Sequence, residues 1–257
     1  ACKSECPNAV DMAKLKSDAM QMRHDRRGTP LGARLMGGMP DAAKRIAGPL
    51  APLVNAVQST GPFKVLLHKL AGIDRRRPLP RFAAKPLHRQ LQRLGRGRAA
   101  AEERSDQAAD APRPRVVLFD DTYANFFEPS IGVAAVQLLE ACGYEVTLAK
   151  AGCCQRPRLS KGLVRAAARE GGKTLRNLDR LRGEQGESLP ILCLEPSCAS
   201  SLKDDLADLV KDDKLGRRIS ARVWMLDEFL AHEGVELESA VGETFFHGHC
   251  HQRALFD

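Results

Sequence analysis

Beyond residue 113, two hydrophobic periods take turns along the chain. "RVVLFD" (115–120) is a short, β-branched apolar run of strand length. "PSIGVAAVQLLEACG" (129–143) places apolar residues on one helical stripe and closes on Gly143, and "YEVTLA" (144–149) is again strand-like. Together they predict a β-α-β unit. Leu159, Leu163, Ala167, Leu175, Leu178 and Leu181 then predict one long helix, "PILCLE" (190–195) a third strand and "SSLKDDLADLV" (200–210) another helix. "ARVWMLDEFLAHEG" (221–234) reads as a short strand and helix with Trp224 in the core, and "ETFFHGHC" (243–250) as one more strand. Strands alternating with helices predict an α/β fold with a parallel sheet covered on both faces.

The first hundred residues follow a different pattern. "NAVDMAKLKSDAMQMRHDRRG" (8–28) is polar and rich in good helix formers, as an exposed helix is, and Gly28 and Pro30 end it. Residues 29–72 read as short helices broken by Gly and Pro, with Leu50, Leu53, Val54 and Val57 at helical spacing. "IDRRRPLPRFAAKPLHRQLQRLGRGR" (73–98) combines a charge run with prolines, which predicts an extended strap. "AAAEERSDQAADAPRPR" (99–115) has linker composition. The expected organisation is therefore a terminal motif (1–7), a basic, mainly α-helical connecting segment (8–100), a linker (101–113), a parallel-sheet domain (114–216) and the start of a further domain (217–257).

Charge divides at the same place. Residues 1–100 hold 20 Lys and Arg against 6 Asp and Glu, a net of +14, and the remainder holds 20 against 26, a net of −6. A basic module for nucleic acid or an anionic membrane surface is one reading of this asymmetry. Stacking aromatics are nearly absent there, with only Phe63 and Phe82, so a solvated face against an acidic partner is the favoured account and no nucleic-acid partner is expected. A 43% hydrophobic composition supports a substantial core, and no apolar run reaches the length of a membrane span.

The eight cysteines carry the chemistry. They are not spread as a disulfide framework is, and they point to metal or cluster chemistry in a reducing, cytoplasmic setting. "CKSECP" places Cys2 and Cys6 as the last two positions of the C-x2-C-x2-C-x3-C-P ferredoxin run, each serving a different cluster, against the alternative of two surface thiols at a terminus. "AGCCQRP" puts Cys153 and Cys154 on one loop, where two soft thiolates suit an iron–sulfur cluster better than a single tetrahedral zinc; one buried and one spectator cysteine is the alternative. "LEPSC" contributes Cys198, and "HGHCHQ" contributes Cys250 among His247, His249 and His251, as ligands, hydrogen-bond donors to sulfur or loop residues. Each of Cys153, Cys154, Cys198 and Cys250 follows a predicted strand, at the edge where open α/β sheets bind ligands. Cys142 and Cys193 read as small core residues.

In this order, "CKSECP", "AGCCQRP", "LEPSC" and "HGHCHQRAL" resemble the iron–sulfur portion of bacterial FAD-linked oxidases with ferredoxin and cysteine-rich (CCG-type) domains. The fused D-2-hydroxyglutarate dehydrogenases, also labelled D-lactate dehydrogenase-like, are the nearest in kind; "GIDRRRPLP" and "DDTYANFFEP" resemble their connecting segment and first cysteine-rich motif. The resemblance implies a flavin domain holding FAD outside these residues, 4Fe-4S clusters on Cys2, Cys6, Cys153, Cys154, Cys198 and Cys250, and an acceptor such as a quinone or carrier protein. It implies a cytoplasmic protein, peripheral on the inner membrane, and a sequence cut from a longer chain. A separate iron–sulfur subunit of a glycolate or glycerol 3-phosphate dehydrogenase is the alternative. Two positions depart from the pattern: Thr122 stands where related cysteine-rich domains have a cysteine, and Gln155 stands for the glycine of the CCG signature.

Overall fold

Three of the four strands are β-branched or leucine-rich runs that alternate their side chains between two apolar layers. The computed structural model describes residues 7, 10–94, 113–237, 242, 243, 245, 247–249 and 252. Among these, β1 (Arg115–Leu118), β2 (Glu145–Leu148), β3 (Ile191–Cys193) and β4 (Val223–Met225) form a parallel sheet in the order β2-β1-β3-β4. The fold is α/β and largely helical, as the alternating pattern predicts.

Period-two alternation builds the two sides. Val117, Phe119, Ile191, Cys193, Val223 and Met225 pack with α10 (Val164–Asp179) and α13 (Asp213–Ser220) through Leu175, Leu178, Leu215 and Ile219. Val116, Leu118, Leu192 and Trp224 face the other way, toward α6 (Leu87–Arg93), α8 (Pro129–Ala141) and α14 (Leu226–His232). Burying both faces is what a parallel sheet with helical crossovers requires. Trp224, expected in the core, is half-buried at the side of this second layer, stacked near Phe229 and His232. β4 pairs with β3 as the last strand of this sheet, and α13 runs through position 216. The expected start of another unit at 217 does not coincide with a break in it.

The connecting segment is helical: α1 (Met12–Arg27), α2 (Leu31–Gly37), α3 (Met39–Ile46), α4 (Ala51–Ser59) and α5 (Gly61–Ala71). Asp11 caps α1 by accepting from Ala13 N and Lys14 N, and Gly28 ends it at φ 78°. The predicted exposed helix does not stand free. Ser17 donates to Leu159 O at 3.0 Å, His24 Nε2 lies 2.9 Å from Lys161 O, and Lys14 bonds Asp204 and Asp208 at 3.1 and 2.5 Å.

The sequence pattern misplaces several elements. The strap expected over 73–98 is irregular only to Pro86 and then forms α6, because Leu87 and Leu91, one turn apart, find a buried seat on α8. Gly132 of α8 permits that approach: a Cβ there would come within 2.5 Å of Leu87 Cδ2. The long helix expected from Leu159 is two, α9 (Arg156–Ser160) and α10, broken at Gly162, whose φ of 68° and close contact with Met20 of α1 leave no room for a side chain. The strand expected over 243–250 is absent at its described residues 243, 245 and 247–249, and Phe245 is almost fully exposed. "SSLKDDLADLV" splits into α11 (Pro196–Ser200), a π-helical turn (Ser201–Asp205) and α12 (Leu206–Leu209). A short helix that the pattern does not predict, α7 (Thr122–Phe126), follows β1 directly and is capped by Asp121.

The carboxyl ends of β1 and β2 are tied together by Asp120, which accepts from Lys150 N at 2.8 Å and from Asn125 Nδ2 at 3.1 Å. Burial pushes its carboxyl up to about 6, against the partial relief of the Lys150 N–H.

Two outcomes follow from this packing. Gly132→Ala should cost about 1–3 kcal/mol in urea unfolding by forcing α6 off α8, and an unchanged midpoint would show that α6 does not depend on this seat. Because the folded Asp120 holds its proton more tightly than the unfolded chain, its stabilising contribution is complete below the unfolded value near 4. It is lost as pH rises through about 6. Asp120→Asn should therefore remove about 2–3 kcal/mol of the fall in stability between pH 4 and 7, measured as the difference between the two unfolding curves across that range.

Candidate metal centre

The order β2-β1-β3-β4 makes the chain leave β1 toward one side and β3 toward the other, so a crevice opens beyond their carboxyl ends. Register decides what meets there. Leu118 pairs with Leu148 and Leu192, Ala149 N donates to Leu118 O at 2.9 Å, and Phe119 N donates to Leu192 O at 2.8 Å. A few residues further, the three loops deliver Thr122, the Cys153–Cys154 pair and Cys198 to one place.

The thiols are in contact. Cys154 Sγ lies 2.9 Å from Cys198 Sγ, both nearly fully buried, and half-buried Cys153 hydrogen-bonds Cys154. The sulfur of Cys153 also accepts from Gln155 N at 3.3 Å. Donating to Cys154, together with burial, raises the Cys153 thiol far above its ordinary range. Cys154 gains some thiolate character from that bond, but its own bond to Cys198 and its burial leave it well above ordinary as well. The Cys154 bond favours a Cys198 thiolate, yet burial and nearby Asp121 outweigh it and push Cys198 up to about 12.

Surrounding groups hold the backbone of this loop. Thr174 Oγ1 and Gln155 Nε2 donate to Cys153 O at 3.0 and 2.8 Å, and Ser201 Oγ donates to Cys154 O at 2.6 Å. Gln155, at φ 66°, occupies the left-handed region that the signature glycine would favour; its side chain is buried and accepts from Arg158. Arg156 reaches across to Asp205 at 2.5 Å and Ser200 at 3.2 Å, joining the cysteine-pair loop to the helix that carries Cys198. The π-helical turn directly after that helix is a distortion often found at functional sites.

The donor set suits a soft metal or iron–sulfur cluster: three thiols converge, water is largely excluded, and each would release its proton to solvent on binding a cation. As they stand the sulfurs are closed on one another. Thiolates on the edge of a tetrahedron about one zinc lie roughly 3.8 Å apart, so Cys154 and Cys198 must separate to share an ion. Consistent with this, no group of three or more His, Cys, Asp or Glu among the described residues is spaced to hold a metal ion.

Of the cysteines read as ligands, the structure brings together Cys153, Cys154 and Cys198. Cys2, Cys6 and Cys250 lie outside the described residues, as does His251, and His247 and His249 are not drawn into the cluster. Cys193 is fully buried in β3, and Cys142 is half-buried at the end of α8. Sequence reasoning registered Thr122 and Gln155 only as departures. Arg156, Thr174 and Ser201 gave no signal, since each acts through a fold contact and not through a motif.

No protein-family model and no solved structure matches the chain. Among curated proteins it is 22% identical over 220 residues to a subunit of the anaerobic glycerol-3-phosphate dehydrogenase of Escherichia coli K12, covering 84% of this chain and 52% of that subunit. It is 23% identical over 256 residues to D-2-hydroxyglutarate dehydrogenase of Pantoea ananatis, covering 97% of this chain and 24% of the relative. The D-2-hydroxyglutarate dehydrogenase of Pseudomonas putida is matched at 22% identity over 88% of this chain and 22% of its own length. The chain thus spans about half the length of the first relative and about a quarter of the others. It is a distant homologue of both groups along most of its length.

Proposed function

We propose that this chain is the iron–sulfur electron-transfer portion of an FAD-linked dehydrogenase for a D-2-hydroxy acid, of the 2-hydroxyglutarate or lactate class. The observation that carries the reading is the meeting of Cys153, Cys154 and Cys198, drawn from two distant motifs, at the carboxyl edge of β2 and β3. In this reading they hold a 4Fe-4S cluster with Cys250 of "HGHCHQ" as a further ligand, while Cys2 and Cys6 serve ferredoxin-type clusters. A bound cluster supplies one-electron steps between a two-electron flavin and its acceptor. The chain's own residues bury the thiols, and the Gln155 N–H stabilises the Cys153 sulfur. Arg156 keeps the two ligand-bearing loops in register.

Substrate and FAD are assigned to a flavin domain outside these residues, and a quinone or carrier protein to the far end of the electron path. The described cysteines are free thiols, which suits a reducing cytoplasmic location. Among the described residues no helix is long and apolar enough to cross a membrane, so any association with the inner membrane is assigned to the surface. A separate iron–sulfur subunit of a glycerol 3-phosphate type dehydrogenase is the second reading, favoured by the larger share of that relative's length that the chain spans. The match along 97% of this chain favours the single-chain dehydrogenase.

Iron and acid-labile sulfide in the native protein, purified without oxygen, test the function. Cys154→Ser and Cys198→Ser should each lose one cluster's iron and sulfide and slow reoxidation of reduced flavin, while Cys142→Ser keeps both. Equal iron in wild type and Cys154→Ser would end this reading.

A further inference from the structure

Cys154 and Cys198 stand 44 residues apart in the chain, and their sulfurs lie 2.9 Å from one another. That contact is held from both sides. Ser201 Oγ donates to Cys154 O at 2.6 Å, the Cys198 N–H donates to Glu195 O at 2.9 Å, and Arg156 ties the two segments together through Asp205 and Ser200. A disulfide needs its sulfurs about 2.0 Å apart, and a shared tetrahedral ion needs them roughly 3.8 Å apart. The observed spacing lies between the two. About 0.9 Å of movement one way makes a covalent bond, and a similar movement the other way makes room for a metal. Cys153 is the neighbour of Cys154 in sequence, a poor geometry for a disulfide, so Cys198 is the partner that Cys154 can bond without strain.

We propose that Cys154 and Cys198 form a reversible oxidation site: in the metal-free chain a hydroperoxide converts them to a disulfide, which occupies two of the sulfurs that a cluster or ion would need. The disulfide rests on the sulfur contact alone, and only its competition with metal rests on the proposed function. Hydrogen peroxide is little larger than water, and Cys198 keeps 6% of its surface exposed. The Cys198 sulfur attacks one peroxide oxygen; an S–O bond forms as the O–O bond breaks, and the thiol proton leaves with the released hydroxide as water. The Cys154 sulfur then attacks the sulfenic sulfur, and its proton leaves with that hydroxyl as a second water. Two thiols have lost two electrons in all, and the peroxide has gained them. A dithiol reverses the change by exchange. Oxidation after loss of metal therefore shuts the site until a thiol reopens it.

The full chain, freed of metal with a chelator and reduced, is treated with about one equivalent of hydrogen peroxide. Mass spectrometry of its tryptic digest should find residues 151–158 joined to residues 183–203 at their summed mass less two hydrogens, with fragmentation placing the bond at Cys154 and Cys198. Cys153→Ser should keep the link and Cys198→Ser should lose it; where a variant does not fold, the wild-type fragmentation decides. Zinc, added alone, should bind the oxidised chain at about a tenth or less of the amount taken by the reduced chain, and dithiothreitol should restore the difference. Peroxide that makes no bond between these residues, or joins Cys198 to Cys153 instead, overturns the inference. So does an oxidised chain that holds as much zinc as the reduced one. If the reduced chain takes up no zinc while the Cys154–Cys198 bond still forms, the metal reading falls and the oxidation site stands.

Discussion

The pairing of β1 with strands on both of its sides is the constraint from which the site descends. Hydrogen bonds from Ala149 N to Leu118 O and from Phe119 N to Leu192 O set how far each loop has advanced when it leaves the sheet. Because all three strands are parallel, the loops emerge at the same edge; because β1 is flanked on both sides, they emerge around a crevice. A slip of one residue in β2 would turn its side chains to the opposite layer and carry the cysteine pair away from Cys198.

That crevice is a poor place for negative charge. Cys154 and Cys198 are nearly dry, Asp121 and Glu195 lie nearby, and burial in this company keeps the thiols protonated. Thiols so placed give up their protons to solvent when a bound cation replaces them. Their closeness is also their limit, since the 2.9 Å contact must open. The ion pair of Arg156 with Asp205 crosses from one ligand-bearing loop to the other, and its worth lies in fixing their geometry more than in net stabilisation.

The helical segment is part of the same architecture. α1 lies on α9 and the residue that follows it through backbone-directed bonds from Ser17 and His24, and Lys14 bridges to Asp204 and Asp208 on and beside the π-helical turn that follows Cys198. Charges of both signs meet across this contact, for Asp25 pairs with Arg165 and Asp41 with Arg158. Of the basic residues in 1–100, Lys14 meets acidic groups of the sheet unit, while Asp25 and Asp41 of the same segment meet its arginines.

Several features were written in the sequence by itself. Short β-branched apolar runs such as "RVVLFD" and "YEVTLA" specify strands, alternation with helices specifies a parallel sheet, and the spacing of "AGCCQRP" and "LEPSC" specifies thiols beyond strand ends, since each follows from residues adjacent along the chain. Position 87 shows the limit of such reasoning: prolines and charges around "KPLHRQL" suggest an irregular strap, and a helix forms because Gly132 offers Leu87 a seat that no local pattern contains. Gly162 breaks a continuous leucine stripe for a similar reason, its neighbour Met20 being far away in sequence. Gln155 reads as a loss from a motif and turns out to bond the Cys153 sulfur and carbonyl. Only tertiary structure could decide those roles, because a hydrogen bond or a steric gap between distant segments depends on register and packing, and neither leaves a trace in local periodicity.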